Sequence, residues 1–476
     1  MMEVKKAEVV VLGGGPGGYT AAIRAGALGK KVLVIERDRV GGTCLNRGCI
    51  PTKALLSATE ILEEMERMSN VGIHFDGMRL DVQELHRFKQ KTVDKLVKGV
   101  EYLFKGNGVE KLGGSGKFVA PKRLQVETPG GIVEVEGENV IIATGSEVAP
   151  LPSLPTDGKS ILNSDQILEM TEVPKSLLVI GAGPVGLEFA VIFHRLGSAI
   201  TVVEMMPQVL PGCDRDLASA LHRSLKKRKM EIFLSTMVQS YAVTEGGIKV
   251  QIAKVGEDFK PIEGTEETLQ VEKILVATGR RPTTRNIGLD RAGVEVSPKG
   301  FIPVKPNRET NVPGVYAIGD ITGPPLLAHK AMKEGIVAAE AIAGLPSIFD
   351  VRSIPGVVYT EPEVAWAGLT EEEAHQQGYE VAIGTFPFAA SGRALSMNKT
   401  EGMVKLIGEA KTDRLLGIHI IGPGASEFMG EASLALEMGA TVRDIGFAIH
   451  PHPTLSEAIM EAAERLHKKA IHILNQ

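Results

Sequence analysis

The stretch Ala7–Glu36, AEVVVLGGGPGGYTAAIRAGALGKKVLVIE, decides how the chain folds. An apolar strand, Ala7–Leu12, runs into a loop carrying Gly13, Gly15 and Gly18; a helix of small residues follows, then a second apolar strand ending at Glu36. This order suits a dinucleotide. The first glycine permits a tight turn, the second lets the backbone approach a pyrophosphate, the third allows close helix packing, and the helix N-terminus receives the negative charge. A carboxylate at the end of the second strand can accept ribose hydroxyl protons.

One such match is weak evidence, but the unit occurs twice. Ser176–Glu204, SLLVIGAGPVGLEFAVIFHRLGSAITVVE, repeats it 168 residues on, with Gly181, Gly183 and Gly186. The acid, Glu36 or Glu204, follows the last glycine by 18 residues in both copies. Met205, Met206 and Pro207 follow Glu204, with no arginine to pair a 2′-phosphate, so the second site reads as one for NAD rather than NADP. A further echo pairs NVIIATGSEVAP (Asn139–Pro150) with KILVATGRRP (Lys273–Pro282). Gly145 and Gly279 in these segments either let a strand end pass close to a ligand or simply end the strand in a turn. A later strand, GVYAIGD, ends in Asp320, a short carboxylate suited to a polyhydroxyl chain.

The implied fold class is α/β, with two Rossmann-like dinucleotide-binding domains, the second inserted in the first, and a C-terminal α+β module for association. The expected spans are 1–149 and 281–347 for the first domain, 150–280 for the insert and 348–476 for the C-terminal module. In that module strands are expected at Gly402–Ile407 and Leu415–Ile421, and helices at Gly424–Glu437 and Thr454–Asn475. A chain of 476 residues exceeds a single core. Its net charge of −5 argues against a nucleic-acid partner, and the basic run His222–Lys229 reads as a solvated helix face. The first strand begins almost at once, leaving no room for a targeting peptide, and no apolar stretch spans a bilayer. A cytoplasmic protein without membrane insertion is the expectation.

Between the two units lies GGTCLNRGCIPTK, Gly41–Lys53. A regular helix would carry Cys44 and Cys49 about 7.5 Å apart along its axis, beyond the roughly 7 Å of Cα separation a disulfide spans. If the two are bridged, the segment is a distorted turn feeding a regular helix from Lys53. Buried core cysteines, half of a metal site and a structural disulfide are the alternatives. Metal has too few ligands nearby, and three cysteines in the whole chain describe a reducing compartment, where catalytic disulfides are the usual exception. No metal is expected. Cys213 reads as a bystander, and Arg47 either lowers a thiol pKa or faces solvent.

Taken with YAIGD and the C-terminal HPHPTLSE (His450–Glu457), these motifs make the chain resemble the pyridine nucleotide:disulfide oxidoreductases almost end to end. The double-histidine form points to the lipoamide-oxidising branch. The resemblance implies FAD at Gly13, Gly15, Gly18, Glu36 and Asp320, with backbone contacts from Gly116 and Ala328 and a role for Gly145. It implies NAD+/NADH at Gly181, Gly183, Gly186, Glu204, Val238 and Gly279. Lys53, paired with Glu188, is implied beside the reactive flavin nitrogen. Cys44 and Cys49 become a redox disulfide: a lipoamide thiol deprotonated by His452 attacks Cys44, and Cys49 passes electrons to FAD and on to NAD+. Glu457 orients the His452 ring. A homodimer with shared active sites is implied, serving a lipoyl domain on the E2 core of a 2-oxo acid dehydrogenase complex or the lipoyl carrier of glycine cleavage.

Overall fold

The computed structural model describes residues 4–475. The chain divides into two compact units, one built from 1–55, 83–149 and 279–350, the other from 56–82, 150–278 and 351–476.

In the first unit Val4–Leu12 pairs in parallel with Val32–Glu36 on one side and with Gly131–Ile142 on the other. Val109–Gly113 extends the sheet beyond Val32–Glu36, and Val315–Ala317 extends it beyond Gly131–Ile142. Parallel strands covered on both faces need continuous apolar runs, and Val9, Val10 and Val11 are fully buried. The register places Leu12 beside Ile35 and Ile142, and Ile142 beside Ala317. The carboxyl ends of four strands therefore share one edge, with Gly13, Glu36, Ala143 and Asp320 at or just beyond it. Strand order reverses at Val4–Leu12, the position where open α/β sheets bind ligands.

The second unit repeats the plan with a five-stranded parallel sheet, centred on Ser176–Ile180 and flanked by Ala199–Val203 and Lys273–Val276. A three-stranded antiparallel sheet, Thr236–Thr244, Gly247–Lys254 and Glu267–Val271, accompanies it. Its C-terminal part is a five-stranded antiparallel sheet whose core strands are Met403–Glu409 and Leu415–Gly422. Helices Met429–Met438 and Glu457–Leu466 pack on it through Ala432, Leu436, Ala458 and Ala462.

The fold class expected from the sequence is the one observed. Two local expectations change. The last helix covers Glu457–Leu466 rather than Thr454–Asn475, because Thr454–Ser456 forms a turn tied to Glu457 and the chain beyond Leu466 turns back so that Ile471 N–H meets Glu461. The basic run is not all solvated: Arg228 is half-buried and bonds Glu63 (2.7 Å) and Glu401 (2.9 Å). Among the described residues no helix is long and apolar enough to cross a membrane.

Candidate active site

Gly13 adopts φ +105°, and a Cβ there would stand 2.4 Å from the carbonyl oxygen of Ala143. Gly181 repeats this with φ +104° and 2.6 Å to Ala277. Neither turn admits a side chain. The acids repeat as faithfully. Glu36 accepts Gly14 N–H through Oε2 (2.7 Å) and Asp38 N–H through Oε1 (2.9 Å). Glu204 accepts Ala182 N–H through Oε2 (2.7 Å) and Met206 N–H through Oε1 (2.8 Å). Each acid thus ties its glycine loop to its strand end, and each carboxylate oxygen keeps a further lone pair for a ligand hydroxyl.

The cysteine segment is two helices with one residue between them. Gly42–Arg47 carries Cys44, Gly48 breaks the helix at φ −142°, ψ −113°, and Cys49–Ser69 resumes it. The irregularity expected across the whole segment is concentrated at Gly48, and regular helix begins at Cys49 rather than Lys53. A Cβ on Gly48 would lie 3.0 Å from the Thr43 oxygen and 3.2 Å from the Cys44 Cα. Glycine there lets the two cysteine turns close on each other.

The Cys49 side chain is hydrogen-bonded to Cys44. That bond, then burial, holds the Cys44 thiol far above its ordinary range, and the nearby Lys53 ammonium opposes the shift. Lys53 stands one helical turn after Cys49, on the same face. Tyr19 lies near the pair, its phenol pushed up by burial and by the charge of either thiolate. Arg47 turns to the Asp38 carboxylate, so Lys53 is the cation acting on Cys44. Asn46 donates to Val40 O and Gly42 O, both at 3.0 Å, holding the approach to the first helix. Cys213 is buried, its thiol pushed up to about 12 mainly by burial, with Asp214 adding to it.

Asp320 sits on the short turn Gly319–Thr322 and accepts the Ser146 hydroxyl proton at 2.5 Å. Ser146 in turn accepts from Arg280 Nε at 2.7 Å, and Arg280 Nη2 reaches Ser146 O (2.8 Å) and Thr43 Oγ1 (3.4 Å). Beneath this turn the fully buried Glu334 accepts Gly319 N–H (2.6 Å) and Arg308 (2.9 Å), while Lys330 donates to Gly323 O (2.8 Å). Ser146, Arg280, Arg308, Lys330 and Glu334 carried no signal in the sequence beyond the ATG echoes.

Other expected positions fall as follows. Ala328 is the first residue of the helix Ala328–Ile342, where backbone N–H groups lack intrahelical partners. Gly116 lies on a strand, and a Cβ there would meet the end of the Leu12 side chain at 2.7 Å, so a larger residue would make that side chain shift. Val238 belongs to the second unit's apolar core. Gly145 (φ +68°) and Gly279 (φ +118°) are both left-handed turns, and Ala149 N–H bonds Gly279 O at 3.0 Å. Glu188 is buried and accepts Tyr359 N–H at 3.1 Å.

His452 is largely exposed, with Nδ1 2.8 Å from Glu457 Oε1, while Glu457 Oε2 accepts Thr454 N–H at 2.8 Å. Partial burial raises the Glu457 carboxyl, but Thr454 and His452 hold it below the usual range. A carboxylate on Nδ1 favours the neutral tautomer with the proton on Nδ1 and a free lone pair on Nε2.

Residues 7–335 match the family model for pyridine nucleotide-disulphide oxidoreductases, and residues 354–463 match the dimerisation domain of the same family. The chain is 50% identical over 476 residues to a dihydrolipoyl dehydrogenase of Thermus scotoductus, covering 99% of this chain and 100% of the relative. It is 43% identical to a dihydrolipoamide dehydrogenase of Chaetomium thermophilum, covering 98% and 92%. Among solved structures, LpdA from Mycobacterium tuberculosis superposes with a TM-score of 0.87 at 27% identity, covering 97% of this chain and 99% of that one. The resemblance read from the motifs is borne out, as is the reading of FAD and NAD, the cofactors this family uses. The dimerisation domain supports the homodimer. The chain belongs to the pyridine nucleotide-disulphide oxidoreductase family.

Proposed function

We propose that the chain oxidises protein-bound dihydrolipoamide to lipoamide with NAD+ as acceptor, the dihydrolipoyl dehydrogenase reaction. The observation that carries this reading is the contact of the Cys44 and Cys49 side chains, closed across Gly48 in a unit whose Gly13 loop and Glu36 are shaped for a dinucleotide. FAD, when bound, supplies two-electron transfer between the reduced cysteine pair and NAD+.

The chain's residues fit both cofactors. Gly13, Gly15, Gly18 and Glu36 would hold the FAD adenosine and pyrophosphate. Ser146 engages Asp320 Oδ2, leaving Oδ1 for the ribityl hydroxyls, with Gly116, Gly145 and Ala328 giving backbone contacts. Gly181, Gly183, Gly186, Glu204, Val238 and Gly279 would hold NAD. Lys53, paired with Glu188, would stand at the flavin. In domain terms, 1–149 and 281–347 serve FAD, 150–280 serves NAD and 348–476 the subunit interface.

In turnover, His452 Nε2 takes the proton of one substrate thiol, because the thiolate is the nucleophile. That sulfur attacks Cys44 Sγ, the Cys44–Cys49 bond breaks, and Cys49 leaves as thiolate. The second substrate thiol, its proton passing to the departing Cys44 sulfur, attacks the lipoyl sulfur of the mixed disulfide, closing the lipoamide ring and releasing Cys44. Two electrons then rest on the cysteine pair. Glu457 stabilises the His452 imidazolium meanwhile. In the homodimer, His452 and Glu457 of each subunit would serve the cysteines of its partner. The lipoyl substrate would arrive tethered to the E2 core of a 2-oxo acid dehydrogenase complex or to the carrier of glycine cleavage, in the cytoplasm, where a low cysteine content fits a reducing medium.

The test is an anaerobic titration of the purified yellow protein with dihydrolipoamide, followed by NAD+ or NADP+. Appearance of a long-wavelength thiolate-to-flavin band, then recovery of oxidised flavin by NAD+ but not NADP+, is expected. A flavin spectrum indifferent to dihydrolipoamide overturns the reading.

A further inference from the structure

His450 is the histidine of HPHPTLSE to which the reaction above gives no role, and both of its ring nitrogens face acceptors. Nδ1 lies 2.9 Å from Ala448 O and Nε2 lies 3.0 Å from Glu431 Oε1, with the side chain only 7% exposed. A neutral imidazole has one N–H, and a carbonyl oxygen accepts only. Two acceptors at hydrogen-bond distance therefore call for two donors, the imidazolium, charge-balanced by the Glu431 carboxylate.

The connection from this ring to His452 is short and stiff. Pro451 and Pro453 lock their own φ angles and restrict the residues before them, His450 and His452. Thr454 Oγ1 donates to Pro451 O at 2.7 Å, closing the loop on itself. The His452 ring is thus held from two ends: through Nδ1 by Glu457, on helix Glu457–Leu466, and through the backbone by the His450–Glu431 pair, on helix Met429–Met438.

We infer that His450 acts as a doubly donating imidazolium which, with Glu431, is the positioning anchor that aims His452 Nε2 at the substrate thiol. The inference rests on the proposed role of His452. The Glu431 and Glu457 carboxylates both favour its protonated form; the Glu431 bond is the main cause holding its pKa above the usual histidine value, against the opposing effect of burial. His450 does not reach the substrate. It narrows the arc of its neighbour.

The experiment uses the FAD-loaded full-length dimer and four variants: His450→Gln, Glu431→Gln, His452→Gln and the His450→Gln/His452→Gln double variant. Glutamine at 450 offers a donor to one partner but not to both. The expected result is a loss of at least tenfold in kcat for dihydrolipoamide oxidation in His450→Gln and in Glu431→Gln. Reduction of an artificial quinone by NADH should be unchanged and FAD content should match the parent, with every assay run below the melting temperature of the variant, since removing either partner of a partly buried pair lowers stability. In the His452→Gln background, His450→Gln should cost nothing further, since an anchor has no value once the base it aims is gone. Additive losses in the double variant, or full dithiol turnover in both anchor variants, overturn the inference. Normal turnover in His452→Gln itself would instead overturn the proposed function, so the two failures are distinguishable. If His450→Gln does not fold, Glu431→Gln carries the same comparison alone.

Discussion

The carbonyl oxygen of Gly13 lies where a Cβ on Gly18 would be only 1.9 Å away, and that of Gly181 lies 2.0 Å from a Cβ on Gly186. The helix in each unit can start only because its third glycine has no side chain. Gly15 differs: the nearest atom to its Cβ would be Gly42 Cα at 3.8 Å, an ordinary contact.

This separates two roles within one motif. Gly18→Ala should destabilise the protein by at least the ~1–3 kcal/mol of an overpacked core, seen as a lowered melting temperature and poor soluble yield. Gly15→Ala should fold with the parent melting temperature of the apoprotein but hold FAD at least about tenfold less tightly, since there only the ligand requires glycine. FAD titration of the two apoproteins checks this.

Ser146 has one hydroxyl proton and gives it to Asp320, so its oxygen is oriented to accept from Arg280. Arg280→Met should leave Asp320 less well held and weaken FAD retention during dialysis by several-fold, and Arg280→Lys should restore only part, because lysine lacks the planar fork that spans Ser146 Oγ and Ser146 O. Equal FAD retention in all three proteins would remove Ser146 and Arg280 from the site.

At Gly48 a methyl group would press on Thr43 O and Cys44 Cα. Gly48→Ala should separate the cysteine turns and cut dithiol turnover by at least about tenfold while FAD content stays normal, because the first is a positional demand and the second is met elsewhere. Assaying turnover and the flavin-to-protein absorbance ratio on the same sample separates the two.

Lys405 is buried with 2% of its side chain exposed, bonded to Asp214 (3.0 Å), Asp216 (2.7 Å) and Glu371 (2.6 Å). Lys405→Met strands the buried Asp214 carboxylate, and a loss of about 3–5 kcal/mol is expected by denaturant titration. Adding Asp214→Asn should recover part of it.

Glu401 accepts from Lys227 (2.8 Å), Arg228 (2.9 Å) and Ser224 (2.8 Å), and although burial raises its pKa, these donors hold it down to about 2. A carboxyl depressed on folding contributes stability above its ordinary pKa, and that contribution is lost as pH falls from about 4.5 toward 2. Glu401→Gln should flatten that part of the acid-unfolding curve and leave the curve above pH 6 parallel to the parent. An identical acid limb in both proteins would show that Glu401 is not responsible.

The readings that succeeded from sequence are those whose physics is local. Gly13, Gly18 and Glu36 are tied by sterics and hydrogen bonds within one strand-loop-helix-strand unit, so residue types at fixed spacing carried the message, twice. The break at Gly48 was less legible: cysteine spacing required an irregularity, but which residue absorbed it depended on how closely Thr43 and Cys44 approach. Arg228 was misread because a basic run in a helix looks solvated until Glu63 and Glu401, each more than 160 residues away, are brought to it.

By itself, then, the sequence determined two glycine loops of one plan, a closely spaced cysteine pair and a histidine held between prolines, since glycine, proline and cysteine impose their constraints on the adjoining backbone. The tertiary structure decided which partner each charged side chain takes: Arg280 with Ser146, Glu334 under the Asp320 turn, His450 with Glu431. A charge and a hydrogen-bond donor act over a few ångströms in any direction, and folding, not chain order, selects what lies within that reach.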